Sequence, residues 1–340
     1  MSLHRLALLL VMILGVVRCY GQDINDRFAE YQLQLTQTTE EGMSVMVEKL
    51  SIIDQIEVIE SKAEGEPAEF SREVTSRRKL QRVIFGPDGL EKRLDAVSFL
   101  LLGQSDLLDA WKEAELVHQN QGWYFAESRH APTKGIQPVE VKGGVIPTVS
   151  DSRWQHPFVV ATSHASGVRR DLTHGIANGT FNTLEETLLK DGRTQIIASN
   201  DNGGVYRFVF NQEEEWFAEE IDFLRKDLTR EEEIAIEKRA FARLPQLKVK
   251  VTKDMLKDYR IYATNRTVWK KLDNNQWVPW VVRLSTDRKD EYIEDEIRFR
   301  EWKFGDDVDL ELLEEESFTP EKIRASIDFK AVRDLFDKSK

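Results

Sequence analysis

Cysteine is nearly missing from this chain: of 340 residues only Cys19 carries a thiol. It stands among the first twenty residues, so the rest of the chain forms no disulfide, and a domain of this size does without one because it can bury a sizeable core. Long apolar runs are missing too. Beyond the first residues the longest is Val97 to Leu102, strand-sized and far short of a membrane-spanning helix. Positive charge is the minority: 48 Lys and Arg face 60 Asp and Glu, a net charge of −12. That balance argues against DNA or an anionic membrane as a partner for the chain as a whole. No H-E-x-x-H, G-x-S-x-G, Walker A or G-x-G-x-x-G sequence occurs, so no motif announces metal, acyl-transfer, phosphate or dinucleotide chemistry.

What is present begins with a leader. Met1 to Arg5 is short and weakly basic, and Leu6 to Val17 is apolar apart from Gly15. This length suits the h-region of a signal peptide. Cleavage after Gly21 puts Cys19 and Gly21 at the small-residue positions and makes Gln22 the first mature residue. Lipid anchoring at Cys19 is not expected, because Arg18 stands where a lipoprotein signal wants a small residue. Removing the leader takes Arg5 and Arg18 with it, leaving 46 basic residues against 60 acidic ones and a net charge of −14. The sequence thus predicts a periplasmic or secreted protein with no integral membrane span.

Trp269 to Phe304 organises the rest. It holds Trp269, Trp277, Trp280 and Trp302 of the chain's eight tryptophans, and its apolar residues recur at strand spacing. Turns at Asp273-Asn274-Asn275 and Asp287 to Asp290 divide it into a three-stranded antiparallel meander. Upstream, Leu80 to Phe85 and Leu90 to Leu102 flank Gly86-Pro87-Asp88-Gly89 as a hairpin. Arg193 to Ser199 and Val205 to Phe210 flank Asn200 to Gly204 as another. Further strands are predicted at Gln121 to Ala126, Trp216 to Leu224, Leu247 to Val251, Tyr259 to Ala263 and Val268 to Lys271.

Asp23 to Ser51 predicts one helix followed by a strand, with a second apolar segment at Ile52 to Ile59. Leu107 to Val117 reads as a short helix or irregular segment, and Thr183 to Leu189 as a helix or the lead into the next strand. Thr229, followed by Glu231 to Glu233, caps a helix that stops before Pro245. The organisation is then a leader over 1–21, a helix and the first strands over 22–129, a loop-rich insertion or lid over 130–182, the remaining antiparallel strands over 183–325, and a tail or short helix over 326–340. The insertion carries Pro132, Pro138, Pro147 and Pro157, with one compact piece at Arg153 to Val160. No fixed repeat of solenoid or propeller length is found.

The residues Gln276-Trp277-Val278-Pro279-Trp280, Ile297 to Phe304, and the exit from Asp307 to Phe318-Thr319-Pro320 together resemble the LolA/LolB-like superfamily. Trp154 to Phe158 resembles a Pro-Phe motif of exported proteins from planctomycete-like bacteria. The resemblance implies a mainly β (α+β) fold: a large curved antiparallel sheet or incomplete barrel with peripheral helices and an apolar concavity. It places no lipoprotein-carrier arginine on any residue here.

Six tryptophans, Trp123, Trp216, Trp269, Trp277, Trp280 and Trp302, are the candidate ligand-binding residues; filling the core of a large sheet is the alternative. His156, His164 and His174 lie near Asp151 and Asp171, but their spacing fits no metal motif, so they are read as loop histidines. Ser163-His164 lacks the geometry of a triad. Asp201-Asn202-Gly203 is read as a turn rather than a calcium loop, and the acid runs Glu213 to Glu215 and Glu314 to Glu316 as solvated charge. Asn178-Gly179-Thr180 and Asn265-Arg266-Thr267 are glycosylation sequons only in a eukaryotic host. The functional expectation is non-enzymatic, with no cofactor and no metal: a lipid or acyl group bound in the concave face. An envelope protein–protein interaction is the second reading, and a hydrolase using the loop histidines the third.

Overall fold

The computed structural model describes residues 24–59, 69–87, 92–102, 111–120, 123–130, 140–145, 156–162, 181–200, 203–211, 214, 216–226, 250–288 and 291–313, with side chains left aside over 92–145 and at a few strand ends. The fold is mainly β. One sheet of thirteen strands runs in the order β6-β5-β4-β3-β2-β1-β13-β12-β11-β10-β9-β8-β7. Sequence neighbours pair antiparallel except β6 and β7, which stand at the two ends of the sheet. The strands are β1 (Met43–Ile59), β2 (Glu69–Phe85), β3 (Lys92–Leu102), β4 (Trp111–Asn120), β5 (Trp123–His130), β6 (Glu140–Val145), β7 (Phe181–Leu188), β8 (Thr194–Asn200), β9 (Val205–Phe210), β10 (Ala218–Lys226), β11 (Tyr259–Lys271), β12 (Trp277–Arg288) and β13 (Glu291–Phe304).

Two meanders therefore grow in opposite directions from one seam, the antiparallel pair β1–β13 that runs from Met43↔Phe304 to Gln55↔Glu291. The sheet is curved and does not close. Its outer strands are β6 and β7.

Among the described residues two α-helices cover one face. Helix α1 (Ile24–Glu40) precedes β1, and helix α2 (Pro157–Ala161) lies between β6 and β7. Alternation along each strand decides what meets them, because successive side chains point to opposite faces. From β1 the residues Met43, Val45 and Val47 face the helices, joined by Val83 and Phe85 of β2, Val282 and Leu284 of β12, and Ile297 and Phe299 of β13. Gly42 makes the corner between α1 and β1 at φ 75°. A Cβ there would stand 3.3 Å from the Phe85 carbonyl oxygen and the Pro87 nitrogen, so glycine is required by conformation and by space alike.

Several sequence expectations are corrected. Leu107 to Val117 contributes no described helix: Trp111–Asn120 is strand β4, paired with β3 on one side and β5 on the other. Its Ala, Glu, Leu and Lys residues favour a helix locally, but two ladders of backbone hydrogen bonds override that preference. Thr183 to Leu188 lies in edge strand β7, so of the two readings of this stretch the helix is excluded. Tyr259 to Ala263 and Val268 to Lys271 are a single strand, β11, because the polar residues between them point alternately into and away from the covered face. Ile52 to Ile59 continues β1. Within the expected strand at Leu247 to Val251, Val251 is a buried residue outside any strand, followed by a 3-10 turn over Lys253–Asp258. The loop-rich segment contains strand β6 and helix α2. The leader, the helix expected after Thr229, His164, His174, Asn178 and the part of the exit beyond Leu313 lie outside the described residues.

Candidate functional site

The short helix α2 is assembled by its own sequence. Pro157 occupies the first turn, where its missing N–H costs nothing, and His156 caps it: the ring Nδ1 accepts from the Phe158 N–H at 3.3 Å. Five residues cannot hold a helix in isolation, so the sheet holds this one. Asn265 of β11, 1% exposed, donates through Nδ2 to the Ala161 carbonyl at 3.0 Å and to the Val160 carbonyl at 3.3 Å. Thr267 donates to the Asn265 side-chain oxygen at 2.9 Å, fixing which way the amide faces. From α1, the Tyr31 hydroxyl donates to the Phe158 carbonyl. Asn265 and Tyr31 thus reach the α2 backbone directly, and the Thr267 hydroxyl stands 3.4 Å from the Ala161 carbonyl.

Around it lies a packed aromatic cluster. Trp269 stacks on Phe217 at 4.4 Å and meets Tyr31, Phe158 and Trp216 edge-on or tilted. Its indole N–H donates to the Ala218 carbonyl at 3.1 Å. Trp277 tilts against Phe217 and donates to Glu214 at 3.2 Å, so that glutamate of the acid run is part of the packing. Trp302 stacks on Phe304 at 5.7 Å and packs against both apolar clusters; its indole nitrogen is buried and meets no acceptor among the described residues.

Of the six candidate tryptophans, the fold brings four together here: Trp216, Trp269, Trp277 and Trp302. Trp280 goes elsewhere. Val268 pairs with Val281 and Trp269 with Pro279, so Trp280 is the unpaired residue of a β-bulge. It is turned to the opposite face, between Lys270 at 4.1 Å and Arg300 at 4.4 Å. The side chain of Trp123, on β5, is outside the description.

Tyr31, Phe158, Phe217 and Asn265 escaped the sequence reading of the site. The first three are apolar positions like many others. Asn265 stood out only as a sequon, and its burial removes it as a glycan acceptor. His156, a candidate metal or hydrolytic residue, is a cap packed between Phe85 and Phe158.

The opposite face of β9 to β13 is ionic. Asp222, fully buried, pairs with Arg207 and with Arg266, whose Nη1 stands 2.6 Å away. Further along, Glu296 accepts from Arg283 at 2.8 Å and Arg298 at 2.7 Å. Burial pushes the Glu296 carboxyl up, but the two arginines together outweigh it and hold it below the ordinary glutamate value of 4.5. A depressed folded value means a contribution to stability that is complete above pH 4.5 and is lost as pH falls through the lower folded value. A carboxyl-detected NMR titration should therefore place the Glu296 midpoint below that of a denatured-chain glutamate. Arg283→Gln should move it upward.

What the geometry defines is an open antiparallel sheet with helices packed on one face over an aromatic cluster. No protein-family model matches the chain, and no curated protein matches it. Among solved structures it is similar to a DUF1329 family protein from Desulfovibrio piger, at 12% identity over 87% of this chain and 98% of that one, with a TM-score of 0.35. It is also similar to an outer membrane lipoprotein-sorting protein domain from Vibrio parahaemolyticus (11% identity, 87% and 97% covered, TM-score 0.33). A LolA superfamily protein from Nitrosomonas europaea is similar too (8% identity, 85% and 99% covered, TM-score 0.29). No residue role transfers at such identities. Among the described residues no helix is long and apolar enough to cross a membrane.

Proposed function

We propose that this is an exported, non-enzymatic binding protein that takes a lipid or acyl group into the trough between the sheet and its helices. The observation that carries the reading is the way α2 is held. A five-residue helix with its ends in long connecting segments covers Trp269 and Phe217, tethered by Asn265, Thr267 and Tyr31. Its departure uncovers the aromatic trough together with donors able to serve a carbonyl or hydroxyl group. Burial of apolar ligand surface supplies the affinity, about 25 cal/mol per Å². The buried Trp302 indole N–H, without an acceptor among the described residues, supports the same face.

Native mass spectrometry of protein purified gently from its own envelope, before and after organic extraction, tests the reading. A reproducible lipid-sized mass that extraction removes is the expected result; a clean apo mass in both samples counts against it.

The tether makes a separate prediction. Asn265→Ala takes the side-chain donor from the Val160 carbonyl and leaves the Ala161 carbonyl with Thr267 alone, a loss of about 1–3 kcal/mol, so α2 opens more often. Nile red, an uncharged apolar dye, should then bind more tightly than to the wild type, since the closed state taxes affinity. Proteolysis between residues 146 and 180 should accelerate in parallel.

An envelope partner paired along the open edge is the weaker reading. Strand β7 shows Leu188 at 58% exposure, but a bulge between Thr183 and Glu185 and exposed Glu186 blunt it for strand addition.

A further inference from the structure

Strand β13 carries an extra residue where it passes β1. Ser44 pairs with Lys303 and Met46 with Arg300, so Glu301 and Trp302 both stand opposite Val45. The bulge reverses the alternation beyond it. Counted by twos from Phe299, the covered face would receive Glu301 and Lys303. Both are exposed instead, and Trp302 and Phe304 pack on the apolar cluster in their place. Bulges beside functional sites re-aim a side chain in this way.

The re-aiming carries a local strain. Glu301 sits at φ 53°, and among the described residues the other non-glycine with a positive φ is Asn275, in the turn before β12. Asparagine tolerates that conformation because its short side chain can hydrogen-bond locally; glutamate has no such relief. A strained residue therefore holds Trp302 on the covered face, and strain of this kind gathers where a fold positions a working group.

The indole so positioned differs from its neighbours. Tyr31, Trp269 and Trp277 donate to the Phe158 carbonyl, the Ala218 carbonyl and Glu214. Trp302 Nε1 is buried and has no acceptor among the described residues. Buried donors are nearly always paired, so an orphan marks a place where a partner fits. This one lies where α2 covers the sheet: of the two clusters that Trp302 packs against, one includes Val160 and Ala161 and the other Phe158.

We propose that Trp302 is the specificity-determining donor for the carbonyl oxygen of an acyl ester, which it receives when a ligand enters beneath α2. The inference rests on the ligand-binding reading and narrows it, from apolar ligands in general to esters. An uncharged acceptor fits because the donor is single and neutral and the clusters around it are apolar. A carboxylate is buried in such surroundings only at high cost.

Isothermal titration of the full chain compares three probes: monooleoylglycerol, the oleyl ether of glycerol, which lacks only the carbonyl oxygen, and oleate. The ester should bind roughly 10-fold tighter than the ether, about 1.4 kcal/mol, and tighter than oleate. Trp302→Phe keeps an aromatic ring and removes the N–H. In that variant the ester should fall to the affinity of the ether, while the ether binds as it does to the wild type. Should the variant fail to fold, the indole N–H resonances of the isotope-labelled wild type read the same bond: one of them should move downfield with the ester and stay in place with the ether.

Equal affinity for ester and ether, a preference that survives Trp302→Phe, or indole resonances that answer both probes alike overturns the role of Trp302 and leaves the carrier reading standing. Oleate binding more tightly than the ester overturns the uncharged acceptor. Failure of all three probes to bind removes the carrier reading and this inference with it.

Discussion

Phe28→Ala is expected to cost about 3–5 kcal/mol and to release helix α1 from the sheet. Phe28 is 2% exposed and meets Phe208 at 5.1 Å, Phe181 at 5.5 Å and Phe210 at 6.1 Å, so one ring binds the helix to β7 and β9 at once. The cavity cannot collapse easily, because the rings around it also hold one another: Phe181 packs on Phe208 at 5.8 Å and on Tyr206 at 5.6 Å. Rigid surroundings put the cost at the upper end of the range. Chemical denaturation should show the loss as a lower midpoint, and proteolysis within residues 24–40 should quicken before global unfolding. A cycle with Phe208→Ala should reveal coupling of about 0.5–1.5 kcal/mol beyond area burial, as edge-on aromatic pairs give. Strict additivity would mean that α1 is held by other contacts, such as the Asn25 side chain bonded to both backbone groups of Phe181.

The second large effect concerns Asp222. Its side chain is fully buried between Arg207 and Arg266, which keep 28% and 35% exposure. Removing one member of a buried ionic group costs about 3–5 kcal/mol because charge is left unpaired. Here the lower end applies: both arginines retain some water and a second acid, Glu220, at 3.5 Å and 3.6 Å. Asp222→Ala should therefore lower stability by about 3 kcal/mol. Replacing all three charges, as Arg207→Met, Asp222→Leu and Arg266→Met together, should restore most of that loss, since well-packed apolar side chains substitute for buried ion groups. If the triple variant is no more stable than Asp222→Ala, the network does more than balance its own desolvation.

Much of the sheet was legible because its signals are local. Alternation over Val205 to Phe210 and the glycines after Asn200 specify a hairpin wherever the chain goes, and the structure shows the Asn200 side chain closing that turn on the Gly204 N–H at 2.8 Å. The three strands around Trp277 were readable for the same reason. Leu107 to Val117 misled because its composition favours a helix, and only the flanking strands β3 and β5 decide otherwise. The tryptophans were legible as a group but not as a site. A bulge at Trp280 reverses its side, and no spacing rule announces a bulge in advance.

By itself the sequence determined the absence of disulfides, the mainly β class and the positions of most strands, since period-two patterning and turn chemistry act over a few residues. The tertiary structure decided which strands meet at the seam, which face the helices cover, and which polar residues face inward. Asn265 grips a carbonyl 104 residues away in the chain, and Lys49 reaches Asp295 across the β1–β13 seam. Such partners are chosen by register and curvature of the whole sheet, quantities that no local stretch of sequence contains.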